Sequence, residues 1–124
     1  METVKTCDHL LVTCMDYRIQ APIGAWAVEL LGRRNYDLLA AAGSSRQLDL
    51  VLAHVDTALR LHQITSVELV HHEDCGAYGS EGTYEHHCED MRTARREILA
   101  RHPELQVRLY YLLLSGEMCV VEAE

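Results

Sequence analysis

Cys14, Asp16 and Arg18 follow one apolar run near the start of the chain, and His72 and Cys75 follow another at its middle. An imidazole and a thiolate three residues apart, where an apolar run opens into the Gly-punctuated loop 71–79, can turn toward a single point, as a zinc site requires. His-x-x-Cys alone is equally the pattern of a surface histidine beside a half-buried cysteine. The second stretch, Cys14-Met15-Asp16-Tyr17-Arg18, shifts that balance. Two thiolates and one imidazole form a three-ligand zinc set whose fourth tetrahedral position stays open to water or substrate. Zinc makes hydroxide available near neutral pH, although two thiolates cancel the metal's charge and acidify the water less than three imidazoles would. Asp16 and Arg18 are the groups that can assist. If residues 14–18 are extended, positions 14, 16 and 18 share a face. Asp16 then orients the hydroxide through a hydrogen bond, and Arg18 keeps Asp16 ionised and off the metal. The plainer alternative is an ion pair that only fixes the loop beside two structural thiols.

Elements must bring these two stretches together. Residues 9–13 form a short apolar run that reads as a buried strand, and residues 36–42, ending at Gly43, read as a second. Between them Pro22 suits a first helical turn, Ile23, Trp26, Ala27, Leu30 and Leu31 recur at helical spacing, and Gly32 marks a stop. Ser44 and Gln47 have the spacing of a capping box, which would open a helix running to about residue 62. Residues 66–71 are a third strand. Thr83 caps a helix with a stripe of Tyr84, Cys88, Met91, Arg95 and Ile98, closed by Pro103. A strand over 106–114, a turn at 115–117 and a short antiparallel return over 118–121 complete the pattern.

Strands alternating with helices predict an α/β fold. We expect a three-layer αβα arrangement with a mostly parallel sheet, strand order 2-1-3-4, and a short antiparallel edge strand. Ligands of such sheets bind beyond the carboxyl ends of the strands, where the winding reverses. In this order strands one and three are neighbours, so Cys14, His72 and Cys75 meet in one crevice.

With 124 residues the chain is expected to form one domain, 1–124. A formal charge of −8 argues against nucleic-acid or acidic-membrane partners, since no basic patch is available to neutralise phosphates. The arginines from 92 to 96 are flanked by acids and read as a solvated helix face. Residues 1–8 hold no apolar stretch of signal-peptide length, and no run approaches the roughly 20 residues of a membrane span. A cytoplasmic location is therefore expected. Five cysteines, an odd number, favour metal binding or burial over disulfides in a reducing compartment.

Taken together, Cys14-x-Asp16-x-Arg18, the Ala42-Gly43-Ser44 turn and His72-x-x-Cys75-Gly76 resemble, in order and spacing, the signature of the β-class carbonic anhydrases. The likeness spans residues 9–80 by motif and the rest by element order. It implies one zinc per chain on Cys14, His72 and Cys75, with Asp16 and Arg18 as a catalytic dyad. Gly43, Ser44 and Gly76 then fall on the substrate side of the pocket. It further implies reversible hydration of carbon dioxide to bicarbonate by zinc-bound hydroxide, in a homodimer or higher homo-oligomer. Three departures stand out. Residues 1–8 offer no helical arm, Ala40-Ala41 replace the usual Arg-Asn, and Glu73 stands where Thr is common.

Other readings remain open on these residues. The same hydroxide could attack carbonyl sulfide or carbon disulfide, or Asp16 could fill the fourth position and leave a non-catalytic zinc protein. A cysteine-based redox protein is a weaker alternative, because no Cys-x-x-Cys is present. Elsewhere, His86 and His87 are expected as a solvated pair beside a core Cys88. His71 should face away from the site, and Tyr78 either lines the pocket mouth or simply packs. Cys7 and Cys119 are expected to be buried.

Overall fold

A computed structural model describes residues 5–124; the first four residues of the leading segment discussed above lie outside it. Five strands form one sheet: β1 (His9–Thr13), β2 (Tyr36–Ala40), β3 (Ser66–His72), β4 (Gln106–Leu112) and β5 (Met118–Val121). Their order is β2-β1-β3-β4-β5, with the first four parallel and β5 antiparallel to β4. The expected order is therefore observed. Three helices connect the parallel strands: α1 (Gln20–Leu31), α2 (Leu48–His62) and α3 (Tyr84–Arg101). From β1 the chain steps outward to β2, then returns across β1 to β3. Right-handed crossovers therefore send α1 to one face and both α2 and α3 to the other.

The core follows that division. Ile23, Ala27 and Leu31 of α1 pack with Leu11, Val70, Tyr110 and Leu112 of the sheet. Val51, Val55, Met91, Ala94 and Ile98 of α2 and α3 pack on Leu10, Val12, Val67, Leu69 and Leu109. Alternate residues of β3 thus feed opposite layers, and all seven are buried, as befits a central parallel strand. One of the seven is Glu68. Its carboxylate accepts from Ser66 Oγ at 2.6 Å and pairs with His9 Nδ1 at 2.9 Å.

Local chemistry corrects several expectations. Ser44 and Gln47 do not form a capping box: residues Ser44–Arg46 are a tight 3-10 turn, and Gln47 opens α2 without a side-chain cap. Backbone carbonyls at the sheet's carboxyl edge take up their polar groups instead. Ser44 Oγ donates to Val12 O at 3.4 Å, and Gln47 Nε2 donates to Ala42 O at 2.7 Å. Strand β2 stops at Ala40 and β4 at Leu112, short of the apolar runs that suggested them, while β3 continues to His72. Thr83 does cap α3, its oxygen accepting from His86 N at 3.1 Å. The buried stripe of α3 is His87, Cys88, Met91, Ala94 and Ile98, so His87 is a core residue and not one of a solvated pair.

Candidate metal centre

Parallel strands β1 and β3 are direct neighbours, so the loops leaving their carboxyl ends rise side by side. Cys14 follows β1 at once, His72 is the last residue of β3, and Cys75 sits in the turn beyond it. All three are buried, and one ligand atom from each lies within 4.8 Å of the others. Cys14 Sγ and Cys75 Sγ are 3.9 Å apart. Two sulfurs each about 2.3 Å from a tetrahedral zinc ion would stand roughly 3.8 Å apart, so the spacing already suits the metal.

His72 supplies a second test of fit. Its Nδ1 donates to the carbonyl of Glu73 at 2.8 Å, which fixes the tautomer and leaves a lone pair on Nε2. That Nε2 is buried without a hydrogen-bond partner. Orphaned buried nitrogens are costly unless something answers them, and a cation between two sulfurs does so. The donor set, two soft thiolates and an imidazole, selects zinc over magnesium or calcium.

Electrostatics agree with the donor chemistry. Burial alone would push the Cys14 thiol up, but the neighbouring His72 imidazole and the N–H groups of Gly43 and Asp16 outweigh it and bring the thiol to about 7. Gly43 N is 3.5 Å from Cys14 Sγ. Burial dominates at Cys75 and raises its thiol, and the nearby Cys14 sulfur adds to this. Burial opposes protonation of His72, yet Cys14, the Glu73 carbonyl and Asp16 together raise it. A cation bound among two sulfurs and an imidazole confined this closely would favour the thiolate form of both cysteines.

Asp16 and Arg18 meet, though not along an extended segment. Residues 17–19 turn: Ile19 N donates to Asp16 O, and Arg18 N to Asp16 Oδ1 at 2.8 Å. Arg18 Nε lies 3.1 Å and 3.2 Å from the two carboxylate oxygens, and its Nη2 2.7 Å from Oδ2. These hydrogen bonds from Arg18 hold the Asp16 carboxyl down to about 2. Asp16 Oδ2 is 3.9 Å from the free Nε2 of His72. The acid therefore borders the ligand set while its own charge is taken up by the guanidinium. Gln20 Nε2 clamps the loop by donating to the carbonyls of Cys14 and Asp16 at 3.1 Å and 2.7 Å.

Of the remaining sequence candidates, Gly43 is buried in a left-handed conformation (φ 80°), where a Cβ would meet Ala77 Cβ at 3.2 Å and Arg46 Cβ at 3.4 Å. Ser44 is buried with its hydroxyl committed to Val12 O, so its side chain does not reach the ligand-type groups. Gly76 is exposed, with open space where a side chain would be. Tyr78 is buried; it donates to Asp90 Oδ2 at 2.7 Å and lies under Arg46, whose guanidinium carbon is 4.3 Å from the ring centroid. His71 does face away from the site, where it meets Ser45 Oγ at 2.6 Å and His87 Nδ1 at 2.7 Å.

Sequence reasoning missed Asp74, which accepts from Arg18 Nη1 through Oδ2 at 3.0 Å and from Nη2 through its backbone carbonyl at 2.7 Å. Asp74 is exposed and carries no spacing signal. Glu73, the departure noted above, accepts from Leu114 N at 2.9 Å and ties the ligand loop to the β4–β5 turn.

Comparison with known proteins supplies the lineage. A family described as "Putative carbonic anhydrase" matches residues 4–122. A protein of Rickettsia bellii, described as uncharacterized, is 23% identical over 135 residues, covering 94% of this chain and 82% of its own. Among solved structures, the carbonic anhydrase from Streptococcus mutans is similar with a TM-score of 0.66 at 19% identity, covering 98% of this chain and 87% of its own. One of two tetrameric β-carbonic anhydrases from Sordaria macrospora gives 0.63 at 13% identity, covering 94% and 81%. Matched from residue 4 to residue 122 and folded like these enzymes, the chain belongs to the β-carbonic anhydrase family.

Proposed function

We propose that the chain catalyses the reversible hydration of carbon dioxide to bicarbonate, with Cys14, His72 and Cys75 holding one zinc ion. The observation that carries this reading is the Arg18-held carboxylate of Asp16, 3.9 Å from a buried imidazole nitrogen that has no other partner. A bound zinc ion supplies Lewis acidity that makes water a nucleophile near neutral pH. With zinc bound, Asp16 would accept a hydrogen bond from the attacking water or hydroxide and so orient it toward the carbon. Arg18 occupies both oxygens of Asp16, which keeps the carboxylate ionised and stops it from filling the fourth ligand position itself. Gly43 steadies the Cys14 sulfur through its N–H, and the open space at the bare Cα of Gly76 leaves room for a small linear substrate next to Cys75.

Tyr17 and Met15, beside Asp16, are 88% and 64% exposed. Large apolar groups flanking a pocket suit a subunit contact, and a homo-oligomer is the assembly we propose; the Sordaria macrospora proteins are described as tetrameric. No helix among the described residues is long and apolar enough to cross a membrane. All five cysteines are free thiols, which favours a reducing compartment, and the cytoplasm is the location we propose.

Stopped-flow hydration with metal analysis tests the reading. The wild-type chain should carry zinc and turn over carbon dioxide, and Asp16→Asn should keep its zinc while losing most of the rate. A zinc-loaded wild type inactive toward carbon dioxide across the pH range, but active on carbonyl sulfide, would move the substrate to the sulfur analogue. Inactivity on both would leave a non-catalytic metal protein.

A further inference from the structure

A second group of ligand-type side chains lies at the opposite pole of the sheet. Cys7 precedes β1, Asp37 is the second residue of β2, and His62 is the last residue of α2. One ligand atom from each falls within 4.8 Å of the others. The five residues of β1 and their flanks separate this group from Cys14, a span of about 20 Å at the rise of a strand.

We propose that Cys7, Asp37 and His62 form a second transition-metal site, one that binds zinc or cobalt with water completing the tetrahedron. The backbone carrying these side chains is fixed independently of any metal. Cys7 N donates to His62 O at 3.2 Å, which holds the thiol segment against the end of α2. Asp8 N donates to Asn35 Oδ1 at 3.0 Å, and Asp8 O accepts from Thr65 N at 2.8 Å and Ser66 N at 3.0 Å. Three chain segments therefore meet in a set geometry, and only side chains need adjust.

The adjustment is small. His62 Nδ1 and Asp37 Oδ2 are 2.7 Å apart, sharing a proton. Two ligands of a tetrahedral zinc ion stand roughly 3.3 Å apart, so the pair must open by about half an ångström. Both side chains are about one-third exposed and free to turn that far (32% and 29%). On binding, the Cys7 thiol gives its proton to solvent. The proton that His62 Nδ1 shares with Asp37 passes through solvent to Nε2, so that the neutral imidazole turns an Nδ1 lone pair to the metal and the Asp37 carboxylate is left ionised. Thiolate and carboxylate together match a divalent charge, and the negative end of the α2 dipole favours a cation there. Thiolate and imidazole donors exclude magnesium and calcium. Lys5 and Arg34 line the same recess and make this the weaker of the two sites.

Cobalt titration of the metal-free full-length chain tests this, read by thiolate-to-cobalt charge-transfer absorption and checked by zinc equilibrium dialysis. Wild type should take up two equivalents, and Cys7→Ser or His62→Gln should lose one while the other remains. A Cys14→Ser, Cys75→Ser double variant should retain one equivalent, which then disappears on adding Cys7→Ser. This arm separates the second site from any failure at the first. Should the double variant not fold, wild type against Cys7→Ser decides alone. Equal stoichiometry in wild type and Cys7→Ser would overturn the proposal, as would a folded double variant with no thiolate-to-cobalt band.

Discussion

His87 is fully enclosed, its Nδ1 2.7 Å from His71 Nδ1, its ring stacked on Tyr78 at 3.9 Å between centroids and flanked by Tyr111. Burial holds its imidazole down to about 4, with the charges of His72 and His86 acting in the same direction and Asp90 opposing them. An unfolded histidine takes up its proton near pH 6.5. Between these two values the unfolded chain binds more protons than the folded one, so stability falls as pH falls. Integrating the two titrations, His87 costs about 2 kcal/mol of stability between pH 7 and pH 5, and about 3 kcal/mol by pH 4. Urea unfolding at pH 7, 6 and 5 measures this, with His87→Leu as the non-titrating reference. The difference between the two proteins in their loss from pH 7 to pH 5 cancels the titrating groups that do not touch His87, and His71→Leu with His87→Leu, against His71→Leu alone, removes the contacting His71 from the comparison. Wild type should lose about 2 kcal/mol more than His87→Leu over that interval. Parallel losses would mean that the buried imidazole is already cationic, or reaches water, and the reasoning would fail.

Cys14→Ser should abolish stoichiometric zinc at the principal site, seen by metal analysis of the purified protein. Asp16→Asn, with its zinc retained, should lower the hydration rate by about a hundredfold or more. Gly43→Ala places a Cβ at positive φ and 3.2 Å from Ala77 Cβ, so it should cost about 1 kcal/mol or more in chemical denaturation and weaken zinc affinity in competition with a chelator. Glu68→Ala strands Ser66 and His9 in the centre of the sheet, and a loss of about 3 kcal/mol is expected from the unfolding midpoint. Removing zinc by chelation should lower the melting temperature measured calorimetrically, because the ion ties residues 58 positions apart in the chain (72 less 14).

The sheet and the clustering of Cys14, His72 and Cys75 were legible because their signals are local and mutually consistent. Apolar runs ending at Thr13 and near His71 fix two strands, Pro22 and Thr83 mark helix starts, and right-handed crossovers then bring Cys14 beside His72. What escaped has a common cause. Ser44 and Gln47 have the spacing of a helix cap, but the buried Val12 O takes the Ser44 hydroxyl and Ala42 O takes the Gln47 amide. No spacing rule reports such competition. His87 was misread because a polar residue on a helix is assumed to face water, whereas its position one turn before Met91 commits it to the interior. Asp74 lies in an exposed turn, and only the fold shows that Arg18 reaches it.

Arg18 grips two acids on two different loops, Asp16 beyond β1 and Asp74 between His72 and Cys75. One side chain thus works as a strut between the arm that presents the first sulfur and the arm that presents the second. Neither arm shifts without dragging on the other, so a change as remote as shortening Asp74, which touches no ligand atom, would loosen the carboxylate on the far side of the cleft.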